Sequence, residues 1–87
     1  MEFIRRRKRR LELHRFYERN FDSLYKFFLY KTQNRTIAEE LTSETFLSFA
    51  NEFARGKEIE NKRAFLYGIA RNHFKAYLRH KYQTVEL

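Results

Sequence analysis

The chain has 87 residues, a formal net charge of +8 (19 Lys and Arg against 11 Asp and Glu), 18% aromatic residues and no cysteine. A chain of this length is one domain, or a piece of one, and buries only about 60–65% of its unfolded surface. The absence of cysteine excludes disulfides and cysteine-based metal sites. No apolar stretch has the length of a membrane span, and we expect no signal peptide. The positive charge favours an acidic partner such as DNA, RNA or anionic lipid.

The first segment is a basic block followed by a helical pattern. Arg5–Arg10 are six consecutive cations, which is typical either of a disordered arm that binds nucleic acid or of a solvated helix start. Too few apolar residues surround them for a membrane-surface helix. From about Leu11 to Lys31, aromatic and aliphatic residues recur every three or four positions, which predicts a helix with one core-facing side. We therefore expect a basic arm or helix extension at 1–15, a helical domain at 16–81 and a linker stub at 82–87.

A second helix is predicted after the polar turn at 32–35. Thr36 and Glu39 have the spacing of a reciprocal capping box, so we expect Thr36 to be the N-cap of a helix that ends near Phe53. Residues 36–54 contain four Glu and no Lys or Arg. The predicted buried side of this helix comprises Ile37, Ala38, Leu41, Thr45, Phe46, Phe49 and Phe53.

The opposite side of this helix carries an acidic stripe. Glu40, Glu44, Leu47 and Asn51 lie at i, i+4, i+7 and i+11, with the leucine between polar residues. An exposed leucine flanked by carboxylates suits a basic, partly apolar protein surface. The alternative is an ordinary solvated helix with one stray leucine.

The third predicted helix is the most unusual in charge. Asn61 is a plausible N-cap, and residues 61–81 contain six Lys or Arg and no Asp or Glu. Apolar residues fill one broad arc, whereas the opposite arc holds Gly68, Arg71, Asn72, Lys75 and Arg79. A solvated helix usually mixes charge signs to gain i,i+4 pairs. The single sign favours a polyanion such as nucleic acid, with a merely solubilising face as the alternative.

No group of residues predicts catalysis or metal binding. His14, His73 and His80 lack metal-ligand spacing, and we expect His73 and His80 to pack within the apolar arc of the third helix. The serines lie on predicted helices without a nearby histidine base. We therefore expect a binding module without cofactor or metal, not an enzyme.

Three segments resemble conserved region 2 of bacterial sigma factors of the extracytoplasmic-function type. They are FDSLY at 21–25, AEELTSETFLSFA at 38–50 and RAFLYGIARNHFKAYLRHK at 63–81. The resemblance covers about Phe16 to Lys81 and implies an all-α fold, a compact bundle of three to four helices. It also implies docking on the clamp helices of the β′ subunit of RNA polymerase, and capture of the non-template strand of the promoter minus-ten element as the duplex melts.

The resemblance assigns two sets of site residues. Those expected to bind polymerase are Glu40, Ser43, Glu44, Leu47 and Asn51, with Leu41 as core support. Those expected to bind DNA are Lys62, Arg63, Phe65, Tyr67, Arg71, Asn72, Lys75 and Arg79. Within the second set, Asn72 matches the position that helps to hold a flipped base, and Arg71, Lys75 and Arg79 match strand-facing positions.

The chain departs from the family pattern at two positions. Ser43 stands where glutamine is usual, and Gly56 stands where an aromatic residue is often found, so a flipped base would rest instead on Ile59 or on backbone. The domain that reads the minus-thirty-five element is absent from this sequence, so either the chain is a fragment or another DNA-binding protein supplies upstream targeting. An anti-sigma protein is a further possible partner, and the expected location is cytoplasmic, with the nucleoid.

Two other functional hypotheses remain open. One is a nonspecific nucleic-acid-binding or architectural protein that uses the basic arm and the third helix. The other is a protein–protein adaptor whose basic face is incidental.

Overall fold

A computed structural model describes residues 2–83, which form three α-helices and no strand. They are α1 (Glu2–Thr32), α2 (Arg35–Ala54) and α3 (Lys62–Gln83). The all-helical prediction is confirmed, with three helices rather than four in this part of the chain. Residues 84–87, which belong to the predicted linker stub, lie outside the described residues, whereas residues 82 and 83 continue α3.

The helix α1 is longer than the periodicity predicted. It begins at Glu2 instead of near Leu11 and includes the basic block Arg5–Arg10. Residues 4–12 are all exposed, so the hydrophobic pattern that marked the helix in the sequence is absent from this part. Hydrogen bonding along the backbone needs no apolar stripe, and periodicity therefore finds only the packed part of a helix.

A turn of two residues joins α1 to α2, and it corrects the predicted cap. Gln33 has φ of 54°, in the left-handed region, and its N–H donates to Leu29 O at 2.8 Å. Asn34 has extended backbone, and its side-chain oxygen accepts from Ile37 N at 3.0 Å. The N-cap is therefore Asn34 and not Thr36, which lies inside the helix. Asparagine is the stronger N-cap residue of the two. An N-cap residue also has an extended backbone, which lets its side-chain oxygen accept from the amide three positions later in the chain.

The connection between α2 and α3 spans residues 55–61. Gly56 has φ of +81°, a conformation that residues with a Cβ rarely adopt. Its N–H donates to Phe53 O at 3.1 Å and thereby closes the end of α2. At the other end of the loop, Asn61 Oδ1 accepts from Ala64 N at 3.0 Å. The prediction that Asn61 caps α3 is confirmed.

Contacts between the helices define their directions. Phe16 stacks on Phe49 with ring centroids 4.6 Å apart, and Arg9 contacts Phe53, so α1 and α2 are antiparallel. Phe49 also meets the edge of Phe65 at 6.0 Å. Phe49 is fully buried and joins all three helices.

The core is mostly aromatic and aliphatic. Its buried hydrophobic residues are Phe16, Leu24, Phe28, Ala38, Leu41, Phe46, Phe49, Phe53, Leu66 and Ala70. Among the described residues, no buried side-chain nitrogen or oxygen lacks a hydrogen-bond partner. The buried Thr45 hydroxyl, for example, donates to Leu41 O at 2.7 Å.

The predicted buried arcs need some correction. On α2, Thr42 is buried although the arc omitted it, and its hydroxyl donates to Ala38 O, whereas Ile37 is only half-buried. On α3, only Leu66 and Ala70 are fully buried. A helix that packs through one edge of its apolar arc leaves the rest partly open to solvent.

Candidate polymerase and nucleic-acid interfaces

All five residues of the predicted polymerase-binding set lie on the outer side of α2. Glu40, Ser43, Glu44, Leu47 and Asn51 are exposed, and we call them the acidic stripe. Leu47 is 64% exposed, so its apolar side chain is accessible to a partner. Leu41, one residue from the stripe, is buried, in agreement with core support. The stripe therefore offers two carboxylates beside an accessible apolar side chain.

The outer side of α3 carries the strand face, which we define as Arg71, Asn72, Lys75 and Arg79. All four residues are exposed. None of them has a hydrogen bond, ion pair or ring contact with any residue in the described part of the chain. Their cationic and amide groups remain available to a ligand.

A shallow open depression lies within the strand face. It is formed where Gly68 has no side chain, and a Cβ added there would meet no atom within 4 Å. The lining includes Phe65, Arg71, Asn72 and Lys75. Cationic groups, an amide and part of an aromatic ring therefore surround a space open to solvent. Charged groups bind phosphate and an aromatic ring stacks on bases, so this combination suits a single strand.

The predicted DNA-binding residues at the start of α3 have intramolecular partners. Lys62 Nζ lies 3.5 Å from Glu12 Oε2. Arg63 donates to Asn20 Oδ1 at 3.1 Å, and its guanidinium lies over the Tyr67 ring. These contacts hold α3 against α1.

The two aromatic members of the set are half-buried. Tyr67 donates its hydroxyl to Ser23 Oγ at 3.1 Å, and its ring meets Phe27 edge to face. Phe65 packs against Phe49 on one side, with Lys57 Nζ 4.8 Å from its ring centroid. Tyr67 therefore serves helix packing, whereas Phe65 serves packing and also borders the depression at Gly68.

His73 of α3 contacts two residues of α2, and one of them belongs to the acidic stripe. Its Nε2 lies 2.9 Å from Ser48 Oγ, and its Nδ1 lies 3.8 Å from Glu44 Oε2. His73 is half-buried, in agreement with the predicted packing role, but His80 is exposed and that prediction is wrong. Residue 80 lies beyond the end of α1, so the packed arc of α3 stops before it. His73 therefore connects Glu44 of the acidic stripe to α3, one position from Asn72 of the strand face.

The loop at 55–61 and α1 enclose a groove that the sequence did not reveal. Its lining is of mixed charge and comprises Arg9, Glu12, Phe53, Gly56, Lys57, Glu58, Ile59, Glu60 and Lys62. Ile59 is half-buried against the core, which leaves part of its side chain at the groove. Arg9 stands far before the loop in the chain, and no spacing signal connects the two.

The described residues contain no group of three or more His, Cys, Asp or Glu that could hold a metal ion. Within residues 2–83, none of the helices is both long and apolar enough to cross a membrane.

A family model described as sigma-70 region 2 matches residues 16–84. No curated protein matches the chain. No solved structure matches it either. The matched range contains the acidic stripe, the strand face and the loop between α2 and α3, but it omits the basic block of α1.

Proposed function

Because the chain belongs to the sigma-70 region 2 family, we propose that it is the promoter-recognition module of an extracytoplasmic-function sigma factor. Promoter recognition in transcription initiation is the general role of this non-enzymatic family. In the proposal, the acidic stripe docks on the clamp helices of the β′ subunit of RNA polymerase. The strand face then holds the non-template strand of the minus-ten element as the duplex melts.

The observation that carries this proposal is the placement of two oppositely charged surfaces on different helices. The acidic stripe is exposed on α2, and the strand face is exposed on α3. If either set had been buried, the corresponding partner could not bind. Opposite charge on a partner surface accelerates encounter with that partner, and like charge slows encounter with the wrong one.

The strand face has the chemistry for an opened strand. Arg71, Lys75 and Arg79 would contact phosphates, which positions the strand but reads no sequence. Asn72 is the only neutral amide among them, and its donor and acceptor groups would bind a base edge. Extrusion of a base costs a few kcal/mol, so the site must supply compensating stacking and hydrogen bonds. Phe65 and Ile69 line the depression beside Asn72 and offer apolar surface to an extruded base.

The test uses one variant on each surface. Glu40→Arg reverses a charge on the acidic stripe and is preferable to a change at Glu44, which contacts His73 beside the strand face. We expect Glu40→Arg to weaken binding to isolated clamp helices about tenfold, roughly 1.4 kcal/mol, and to leave DNA binding unchanged. Glu39→Arg is the matched control, because Glu39 is exposed but lies off the stripe.

Asn72→Ala should have the opposite pattern. We expect about tenfold weaker binding to the preferred members of a pool of single-stranded promoter oligonucleotides, since one base contact is worth roughly 1–3 kcal/mol. Polymerase binding should not change, and His80→Ala, an exposed position on the same helix, is the control. Equal loss of both activities in both variants would refute the two-surface proposal. Equal affinity for any duplex, without polymerase binding, would instead identify a nonspecific nucleic-acid-binding protein.

A further inference from the structure

The N-terminal part of α1 projects beyond the rest of the molecule. We call Arg5–Arg10 the basic overhang. Arg9 makes a hydrogen bond and a ring contact with Phe53, Arg6 and Arg10 border the same end of α2, and every residue from 4 to 12 is exposed. The family match begins only at residue 16, so it assigns no role to this part of the helix.

Most charges of the basic overhang have no ion-pair partner in the part of the chain whose side chains the structure describes. Arg5, Arg6, Arg7, Lys8 and Arg10 have no ion-pair partner among the residues whose side chains the structure describes. Further along the same helix, charges are paired at i,i+4 spacing, as in His14–Glu18 and Lys26–Asp22. Among the side chains that the structure describes, this helix therefore has charge pairs in its middle part and none in the overhang.

This arrangement opposes the local preferences of a helix. Arg5 and Arg9, and likewise Arg6 and Arg10, are like-charged i,i+4 neighbours, which destabilise a helix. Cations near a helix N-terminus are also disfavoured by the helix dipole. A bound polyanion would reduce both penalties, because the block Arg5–Arg10 itself contains no acidic residue.

Arg9 fixes the overhang relative to the α2–α3 loop. Its guanidinium donates to Phe53 O at 2.5 Å and lies 4.1 Å from the centroid of the Phe53 ring. It thereby contacts the same carbonyl that Gly56 N–H bonds at the end of α2. The overhang is therefore positioned beside the groove that leads to the first turn of α3. A ligand that extended from the strand face past this loop would reach the overhang after passing the carboxylates of Glu12, Glu58 and Glu60.

We propose that the basic overhang is a second DNA site, which binds the phosphodiester backbone beyond the segment held by the strand face. This inference rests on the proposed function only in taking DNA as the partner. Five of the six cations have no ion-pair partner among the described side chains, and a duplex that carries one charge per roughly 1.7 Å of axis can neutralise those on the side that faces it. Cations on all sides of the helix suit phosphates, whereas a membrane-surface helix needs a continuous apolar side. The site contributes affinity and not sequence choice, because phosphate contacts carry no sequence information.

The test removes two charges from the overhang and leaves Arg9 in place. The variant is Arg6→Gln with Arg10→Gln, and glutamine preserves helix propensity. The control for net charge is Lys26→Gln with Arg35→Gln, which causes the same reduction at exposed positions away from the overhang and also removes the Lys26–Asp22 pair. Circular dichroism checks that helix content is unchanged. Anisotropy titrations from about 50 to 300 mM salt, the range in which phosphate binding weakens steeply, then measure affinity for a duplex, a single strand and a duplex with a single-stranded extension.

We expect the overhang variant to bind DNA about fivefold to tenfold more weakly at about 0.1 M salt. The slope of log affinity against log salt should become shallower by about 0.9 for each duplex phosphate that the variant no longer neutralises, or about 0.7 for each phosphate of a single strand. The substrate whose affinity falls further identifies the form of DNA at this site. The preference among minus-ten sequences should be unchanged, which separates this result from the effect of Asn72→Ala.

Three outcomes would overturn the inference. The first is an equal decrease of affinity in the control variant, which would indicate a general effect of net charge. The second is an unchanged salt slope. The third is weaker polymerase binding with DNA affinity intact, which would assign the overhang to an acidic protein surface. A failure of Asn72→Ala alone would contradict the proposed function and leave the overhang site standing.

Discussion

Replacement of Phe49 by alanine should disrupt the whole domain, because this one ring contacts all three helices. Phe49 is fully buried, stacks on Phe16 of α1 at 4.6 Å, and meets Phe53 of α2 and Phe65 of α3 at 6.1 and 6.0 Å. Truncation of a buried phenylalanine to alanine costs about 3–5 kcal/mol, from reduced burial and the cavity that remains. A domain of this size has a total stability of about 4–13 kcal/mol. The variant should therefore be strongly destabilised, and unfolded if the domain lies at the low end of that range.

Urea unfolding followed by circular dichroism measures this effect. With a slope of about 1.5 kcal/mol per molar, Phe49→Ala should lower the midpoint by roughly 2–3 M. Phe49→Leu retains most of the apolar volume, and a destabilisation of about 2 kcal/mol should lower the midpoint by roughly 1 M. This second variant keeps the test informative if the alanine variant does not fold.

Leu47→Ala is the matched control for the Phe49 substitutions. Leu47 lies on the same helix, two positions away, but is 64% exposed. Surface substitutions of this kind usually change stability by less than about 0.5 kcal/mol. Equal destabilisation by Leu47→Ala and Phe49→Leu would refute the assignment of Phe49 as the common contact of the three helices. It would also place Leu47 in the interior, which contradicts its proposed role in polymerase docking.

Two further predictions concern the connections between helices. Asn34→Ala should lower the free energy of unfolding by about 1 kcal/mol, whereas Thr36→Ala should have little effect. Thermal melting of both variants measures the difference. A larger loss of stability in Thr36→Ala would indicate that Thr36, and not Asn34, is the N-cap. Gly56→Ala should lower the free energy of unfolding, measured in urea, by about 1 kcal/mol. The cost comes from the φ of +81° and not from a steric clash, because a Cβ at this position would meet no atom within 4 Å. An unchanged midpoint would mean that the loop adopts another conformation in solution.

The composition and motifs of the chain led correctly to several features of the fold. The lack of proline and the aromatic periodicity predicted an all-helical domain, and the sequence alone identified Asn61 as the cap of α3. The likeness to sigma region 2 was also recognisable, because its motifs occur in the right order and separation. The helix and cap predictions are local, because each depends on residues that are close along the chain.

The surfaces were predictable for a related reason. Residues at i, i+4 and i+7 share one side of a helix, so the sequence alone grouped Glu40 with Glu44, and Lys75 with Arg71 and Arg79. The structure confirms that these residues are exposed. Their binding roles stay predictions, which the proposed variants address.

Only the tertiary structure could show which of the predicted site residues are engaged within the molecule. Tyr67 and Arg63 contact Ser23 and Asn20, more than 40 positions earlier in the chain. Arg9 contacts Phe53 over a similar separation and positions the basic overhang. Such pairings depend on the relative placement of whole helices, and periodicity within one helix carries no information about that placement. Sequence therefore determined the helices and the character of their faces, whereas packing decided which side chains remain free to bind a partner.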